Sequence, residues 1–183
     1  MSTLTVDLFS SLDGYAAADG WPGYWGKEGP ELFAWLEEKL AEDHTIVMGA
    51  TTYRAMSQVV SEADDPTFAR MAEIPKIVFS STLKPPLTWA NTRIVGDEAV
   101  GALRRMKTEG TAPLRTLGSI SLGATLLREG VVDLLQVVVF PVVTGTSGWK
   151  PIYADWPDVD LELVSARTLD GRMQLMQYVP TLH

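Results

Sequence analysis

Three stretches of the chain end an apolar run in small polar residues: Gly49-Ala50-Thr51-Thr52, Ser80-Ser81-Thr82 and Gly118-Ser119-Ile120-Ser121. Glycine lets a backbone approach a ligand closely, and Ser and Thr supply hydroxyl donors. Two of the three feed helix starts, whose free N–H groups and positive dipole end suit an anion. Singly, each stretch reads as an ordinary turn or helix cap. Together they read as a site for a ligand carrying more than one phosphate.

Other chemistries lack their residues. The 183 residues include no cysteine, which excludes disulfides, thiolate zinc sites, iron–sulfur ligation and cysteine nucleophiles. The two histidines are His44, at a strand start, and His183; neither accompanies a G-x-S-x-G element. His44 reads as a solvated or hydrogen-bonded edge residue. No G-x-G-x-x-G or G-x-x-x-x-G-K-[ST] element occurs, and no metal-binding cluster has ligand spacing. Glu37-Glu38 and Asp64-Asp65 are adjacent pairs that read as solvated charge. Reactive power would then come from a bound cofactor.

The strand ends need a framework. Leu4, Val6, Leu8 and Phe9 predict a first strand that stops at Asp13-Gly14. The segment from Ala16 to Pro30 reads as a loop rich in Gly and aromatics, with Trp21, Tyr24 and Trp25 as large rings. Leu32, Phe33, Leu36 and Leu40 predict an amphipathic helix ending near Asp43, with Glu31 in its first turn. Strands follow at 44–49, Lys76–Phe79, Thr92–Val95, Leu114–Leu117 and Leu134–Val139. Between them lie a short helix from Thr51, a helix capped by Asp97 and a helix from Leu122 to Gly130. Residues 57–75 read as an irregular surface excursion. Leu161–Thr168 and Met173–Val179 flank an Asp170-Gly171 hairpin turn. Strands alternating with helices predict a three-layer α/β/α domain over 1–183, with a mainly parallel sheet and an antiparallel C-terminal edge hairpin.

Composition narrows the partners. Fifteen Lys and Arg against 23 Asp and Glu give a net charge of −8, which disfavours nucleic acid and anionic membrane surfaces. No run approaches the ~20 apolar residues of a membrane span. Met1–Gly20 carries Asp7, Asp13 and Asp19 without Lys or Arg, unlike a signal or transit peptide. The expectation is a cytoplasmic protein with a small-molecule substrate.

The motifs also carry a resemblance. Ser11-Leu12-Asp13-Gly14-Tyr15-Ala16-Ala17 resembles the S-L-D-G opening of dihydrofolate-reductase-like proteins, in the branch of the reductase domain of bacterial riboflavin-biosynthesis deaminase-reductases. Met48-Gly49-Ala50-Thr51-Thr52-Tyr53 is similar to that family's M-G-R-x-T-Y/W element, and Gly118-Ser119-Ile120-Ser121-Leu122 to its phosphate turn. Gly130-Val131-Val132-Asp133 and Phe140-Pro141-Val142-Val143-Thr144-Gly145 resemble G-L-V-D-E-L and P-V-x-x-G.

The resemblance implies NADPH bound across the strand ends. Gly49, Thr51 and Thr52 would meet the pyrophosphate and adenosine side, and Ser80 and Ser81 the ribose phosphate. Gly118, Ser119, Ile120, Ser121 and Leu122 would wrap the pyrophosphate. Asp13 and the Trp21, Tyr24, Trp25 loop would border nicotinamide and substrate, the loop acting as a lid or simply packing over the sheet end. Asp13 and Glu31 are the candidate catalytic acids, Glu31 reading in the first place as a helix-start charge. Ala50 stands where the family has Arg, leaving NADH open and Arg54 or Arg70 as substitutes. Leu134 replaces the usual Glu, and Gly145-Thr146-Ser147-Gly148 is longer than the family's G-x-G. The implied activity is hydride transfer to a pyrimidine- or pterin-like substrate, as in reduction of 5-amino-6-(5-phosphoribosylamino)uracil in riboflavin biosynthesis. The alternatives are a dihydrofolate reductase-type activity or a non-catalytic nucleotide-binding module. With no cysteine, the zinc deaminase half is absent. A homodimer is also implied, with Leu134–Val143 as a contributing region.

Overall fold

Leu4, Val6 and Leu8 alternate with Thr5, Asp7 and Phe9, so β1 (Leu4–Ser11) turns an aliphatic row to one face of the sheet. The computed structural model describes residues 1–62, 66–96, 98–110 and 112–183. After β1 come β2 (Tyr15–Ala18), α1 (Pro30–Ala41), β3 (Thr45–Gly49), α2 (Ala50–Glu62), α3 (Pro66–Glu73), β4 (Lys76–Phe79) and β5 (Thr92–Val95). Then follow α4 (Ala99–Glu109), β6 (Leu114–Thr116), α5 (Ile120–Arg128), β7 (Leu134–Phe140), β8 (Gly148–Pro151), β9 (Val159–Leu169) and β10 (Met173–Leu182).

Eight strands form one sheet in the order β5-β4-β3-β6-β1-β7-β10-β9. The first six are parallel; β10 runs antiparallel to both β7 and β9. Adjacent residues of the buried strands face opposite layers. Ile46 and Met48 pack with Tyr53 of α2 and Met71 of α3, whereas Val47 and Ile77 pack with Leu103 of α4 and Leu126 of α5. Leu32 and Trp35 of α1 lie on Val138, Phe140 and Leu175, and Leu40 joins α1 to the α2–α3 layer. The result is three layers, with α1, α2 and α3 on one side and α4 and α5 on the other. Each fully buried aliphatic or aromatic side chain contributes about 1.5–3 kcal/mol.

Polar residues also tie the sheet together. Asp7 accepts hydrogen bonds from Arg115 of β6 and the Gln136 amide of β7. Gln177 donates to Gln136 at 2.6 Å, and Ser165 donates to Gln177 at 2.7 Å. This row crosses five strands, from β6 to β9. Burial pushes the Asp7 carboxyl above its ordinary range, against the pull of Arg115. Elsewhere the buried Lys76 ammonium donates to the carbonyls of Met71, Ala72 and Ile74, closing the end of α3; burial pushes it down to about 8.

Three expectations need correction. The stretch from Ala16 to Pro30 is not simply a loop: β2 pairs with β8 in a small second sheet, and Gly23–Gly26 forms a 3-10 turn. The helix from Thr51 is not short, and much of 57–75 is helical in α2 and α3. β7 is internal, between β1 and β10, so most of Leu134–Val143 is buried or half-buried and only Pro141 and Val143 are exposed. For His44 the hydrogen-bonded reading holds: the ring is buried, with Nδ1 2.7 Å from the Glu42 carbonyl oxygen. Asp64 and Asp65, read as a solvated pair, and Asp97, read as a helix cap, lie outside the described residues.

Candidate functional site

All six parallel strands end on one edge of the sheet, and the strand order brings the three small-polar stretches there side by side. In an open α/β sheet this edge is where ligands bind. β6 lies between β3 and β1 although it follows both in the chain, so the turn at Gly118 lies next to the turn at Gly49.

Ser119 joins the two turns. Its Oγ accepts the Gly49 N–H at 3.0 Å and stands 2.8 Å from Thr52 Oγ1 and 3.1 Å from the Leu117 carbonyl oxygen. The backbone must bend sharply to place it: Gly118 has φ +53 and Ser119 φ +62, the left-handed region where a residue other than Gly is disfavoured. The N-termini of α2 and α5 thereby stand together, from opposite layers of the fold. The first N–H groups of each helix have no partner within it. Two positive dipole ends and unpaired N–H groups make an anion cradle.

Gly49, Thr52, Gly118 and Ser119 are thus brought into one place. Thr51 and Ser121 are exposed at the two helix starts, while Ile120 and Leu122 pack their side chains on the core and offer only backbone N–H groups. Ser80, at the end of β4, is one strand further out; its Oγ accepts from the Thr82 and Leu83 N–H groups. Ser81 beside it is exposed. Arg54 lies one turn along α2 from Ala50, on the same helix face. Its Nη2 donates to Thr82 Oγ1 at 3.2 Å, which puts a cation beside Ser80. Arg70, the other substitute, points elsewhere: it pairs with Glu73 and donates to the Leu40 carbonyl.

On the other side of the cradle, Asp13 follows β1. Its carboxylate accepts the Thr144 N–H at 3.0 Å and the Gly145 N–H at 2.8 Å, so it holds the turn after β7. The Ser11 hydroxyl and these amides hold the carboxyl well below the ordinary range. Asp13 is therefore an ionised clamp at neutral pH. Gly14, at φ +87, lies under the Tyr153 ring, where a Cβ would come within 3.3 Å.

Glu31 is at the start of α1 and has a different task. Gly29, at the N-cap, has no side chain to offer, and Asp170 of the β9–β10 turn supplies the cap instead. Its carboxylate accepts from the Glu31 N–H at 3.0 Å and the Leu32 N–H at 3.1 Å, while the Glu31 carboxylate accepts from the Asp170 N–H. This is a capping box made between segments 139 residues apart. The aromatic loop divides. Tyr24 stacks on Phe140, Trp25 is buried against the same ring, and Trp21 is 42% exposed.

The roles of Thr144, Gly145 and Asp170 had no signal of their own in the sequence, because each depends on a partner about 130 residues away or more. Among the described residues no group of three metal-ligating side chains occurs, and no helix is long and apolar enough to cross a membrane.

A family model described as the RibD C-terminal domain matches residues 2–175. A curated relative, the uncharacterized protein YyaP of Bacillus subtilis (strain 168), is 22% identical over 184 residues, spanning 96% of this chain and 93% of the relative. A diaminohydroxyphosphoribosylaminopyrimidine deaminase/5-amino-6-(5-phosphoribosylamino)uracil reductase from Thermotoga maritima superposes with a TM-score of 0.67 at 16% identity. The match covers 98% of this chain and 57% of that one. Dihydrofolate reductase from Enterococcus faecalis, solved with NADP(H), gives a TM-score of 0.64 at 14% identity, covering 98% of this chain and 96% of that one. At such identities these likenesses establish the fold, which is dihydrofolate-reductase-like.

Proposed function

The chain belongs to the RibD C-terminal domain family, and on that premise we propose that it is an NAD(P)H-dependent reductase. We read residues 1–183 as one such module, acting on a small pyrimidine- or pterin-like substrate. The observation that carries this reading is the Ser119 hydroxyl, which ties the N-termini of α2 and α5 into a single anion cradle at the strand ends.

The residues fit the cofactor. Backbone N–H groups of Thr51, Thr52, Ile120, Ser121 and Leu122, with the Thr52 hydroxyl, would hold the pyrophosphate. Ser80, Ser81 and Arg54 would take the adenosine side, and Arg54 beside Thr82 favours NADPH over NADH despite Ala50. Asp13 and Trp21 would border the nicotinamide and substrate. From β4 to β1 is three strand spacings, about 14 Å, which leaves room for a moiety on either side of the pyrophosphate. When bound, the dihydronicotinamide would supply the hydride. Asp13, held ionised, would position the turn at Thr144 rather than donate a proton, and Glu31 would serve α1 as a cap. The named activities of the Thermotoga reductase and the Enterococcus enzyme give the substrate class.

A fluorescence titration with NADPH and NADH, read from the emission of the dihydronicotinamide and of the protein, tests the cradle. The expected result is saturable binding with NADPH preferred; no binding of either nucleotide below about 1 mM overturns the reading. NADPH oxidation on adding pyrimidine or pterin substrates then separates a reductase from a binding module.

A further inference from the structure

β5 ends the sheet on the side away from the C-terminal hairpin, and its backbone bonds run one way. The Lys76 N–H donates to the Asn91 carbonyl and the Ser80 N–H to the Val95 carbonyl, both from the side of β4. Alternate residues of a strand turn their backbone groups to opposite sides. Thr92 and Ile94 therefore direct their N–H and C=O groups outward, where none finds a partner among the described residues. Such an edge is a template for a further strand.

A cavity lies on either side of this edge. One, of about 370 Å³, is lined by Pro85, Leu87, Trp89 and Ile94 on the side of α2 and α3. Trp89 is buried and its indole N–H has no hydrogen-bond partner, so the wall of this cavity holds a donor still to be met. The other, of about 600 Å³, is lined by Ile77, Arg93, Met106 and Glu109 on the side of α4. Asn91, Thr92 and Arg93 border both. Strand addition uses this arrangement: main-chain bonds to a free edge supply affinity, and alternate side chains enter pockets on the two faces of the sheet.

The side chains say what the added strand carries. The register Thr92↔Lys76, Arg93↔Ile77 and Ile94↔Val78 turns Thr92 and Ile94 toward the first cavity and Arg93 toward the second. The first is mainly apolar, so the residues opposite Thr92 and Ile94 are apolar. Arg93 has no ion pair among the described residues, and its Nη2 is 3.8 Å from Met106 Sδ, a weak acceptor. Glu109, in the same cavity, does not pair with it either. A carboxylate directly across from Arg93 stabilises the pairing of the two strands.

We propose that β5 receives an extended segment of a partner protein in which one acidic residue stands between two apolar ones. β5 has 4 residues, so the segment is short. The pattern reads alike in both directions and serves a parallel or an antiparallel strand. The site rests on neither the nucleotide nor the reaction.

Two peptides test it, acetyl-Thr-Val-Glu-Val-Thr-amide and acetyl-Thr-Val-Lys-Val-Thr-amide, with affinity read by chemical-shift titration and amide hydrogen exchange followed residue by residue. The Glu peptide is expected to bind and to slow exchange at Thr92 and Ile94, leaving Arg93 and Val95, already bonded to β4, unchanged. The Lys peptide should bind about threefold to tenfold more weakly, and Arg93→Glu should invert that order. Ile94→Pro, shown to be folded by its circular dichroism melt, removes one outward N–H and no bond to β4, and should abolish binding. No binding of the Glu peptide below about 1 mM overturns the proposal. So does binding that leaves Thr92 and Ile94 unprotected, or that a folded Ile94→Pro retains. Protection of these two amides in the free protein that grows with concentration overturns it too, because a second copy then holds the edge. Equal affinity for the two peptides, or an order that Arg93→Glu does not invert, overturns the acidic character of the segment.

Discussion

Ser119 shows how much a single side chain can settle. Its left-handed backbone costs about 1–2 kcal/mol, and the hydroxyl this conformation delivers accepts the Gly49 N–H and meets Thr52. Ser119→Gly removes the hydroxyl and relieves the backbone at once. The two effects can therefore be separated. NADPH affinity should fall by about fivefold to tenfold, a loss on the order of 1 kcal/mol, while the melting temperature should stay level or rise. Unchanged affinity in the fluorescence titration would place the phosphates elsewhere. The sequence displayed Gly118-Ser119 as a turn and Gly49 as another, but the hydrogen bond between them spans 70 residues. Residue types were legible there; their meeting was not, since it depends on β6 entering the sheet next to β3.

At the scale of elements, α1 is the instructive case. Its apolar spacing made it legible, but its first turn is held by a residue of the β9–β10 hairpin. Gly29 is what lets that residue in: a Cβ there would stand 2.4 Å from Asp170 Cγ. Asp170→Ala should cost about 1 kcal/mol, the usual worth of a helix N-cap, with faster hydrogen exchange confined to the start of α1. Glu31→Gln should lower the melting temperature and leave turnover intact, because the carboxylate serves the Asp170 N–H. A loss of turnover with the fold preserved would return Glu31 to the chemistry. Helices and parallel strands were legible wherever a clean period ran beyond a few residues. β2 escaped notice because Tyr-Ala-Ala-Ala has no alternation to detect. The helicity of 57–75 was hidden by Asp64-Asp65-Pro66, which reads as a break and obscures the helical spacing on either side of it.

For the whole molecule, the fold class was legible from the alternation of strands and helices with a closing hairpin, and the sheet order supplies what alternation leaves out. An acidic protein must gather positive potential locally to hold a polyphosphate, and under the proposed function two helix ends and Arg54 would supply it rather than a basic surface. Acid stability is a global property that Asp13 should influence measurably. Its carboxyl is held below the ordinary 3.8, so between that value and its folded-state pKa the unfolded chain binds the additional proton. The stability this supplies is present above about pH 4 and drains away as the pH falls below it. Urea midpoints measured between about pH 2.5 and 7 should show Asp13→Asn less dependent on pH than the wild type in the acid range. Equal dependence would remove Asp13 from the clamp.

The place of β10 bears on how the chain reaches this state. β10 lies between β7 and β9, and the turn before it caps a helix formed from residues near the start. Neither β7 nor α1 can complete its bonding until residues 170–182 arrive. Until then β7 is an exposed, valine-rich edge, the kind of surface that aggregates or recruits a chaperone. Folding should accordingly be slow, held back by closure of its longest loops, and conditions that shorten the life of that open edge should govern the yield of soluble protein.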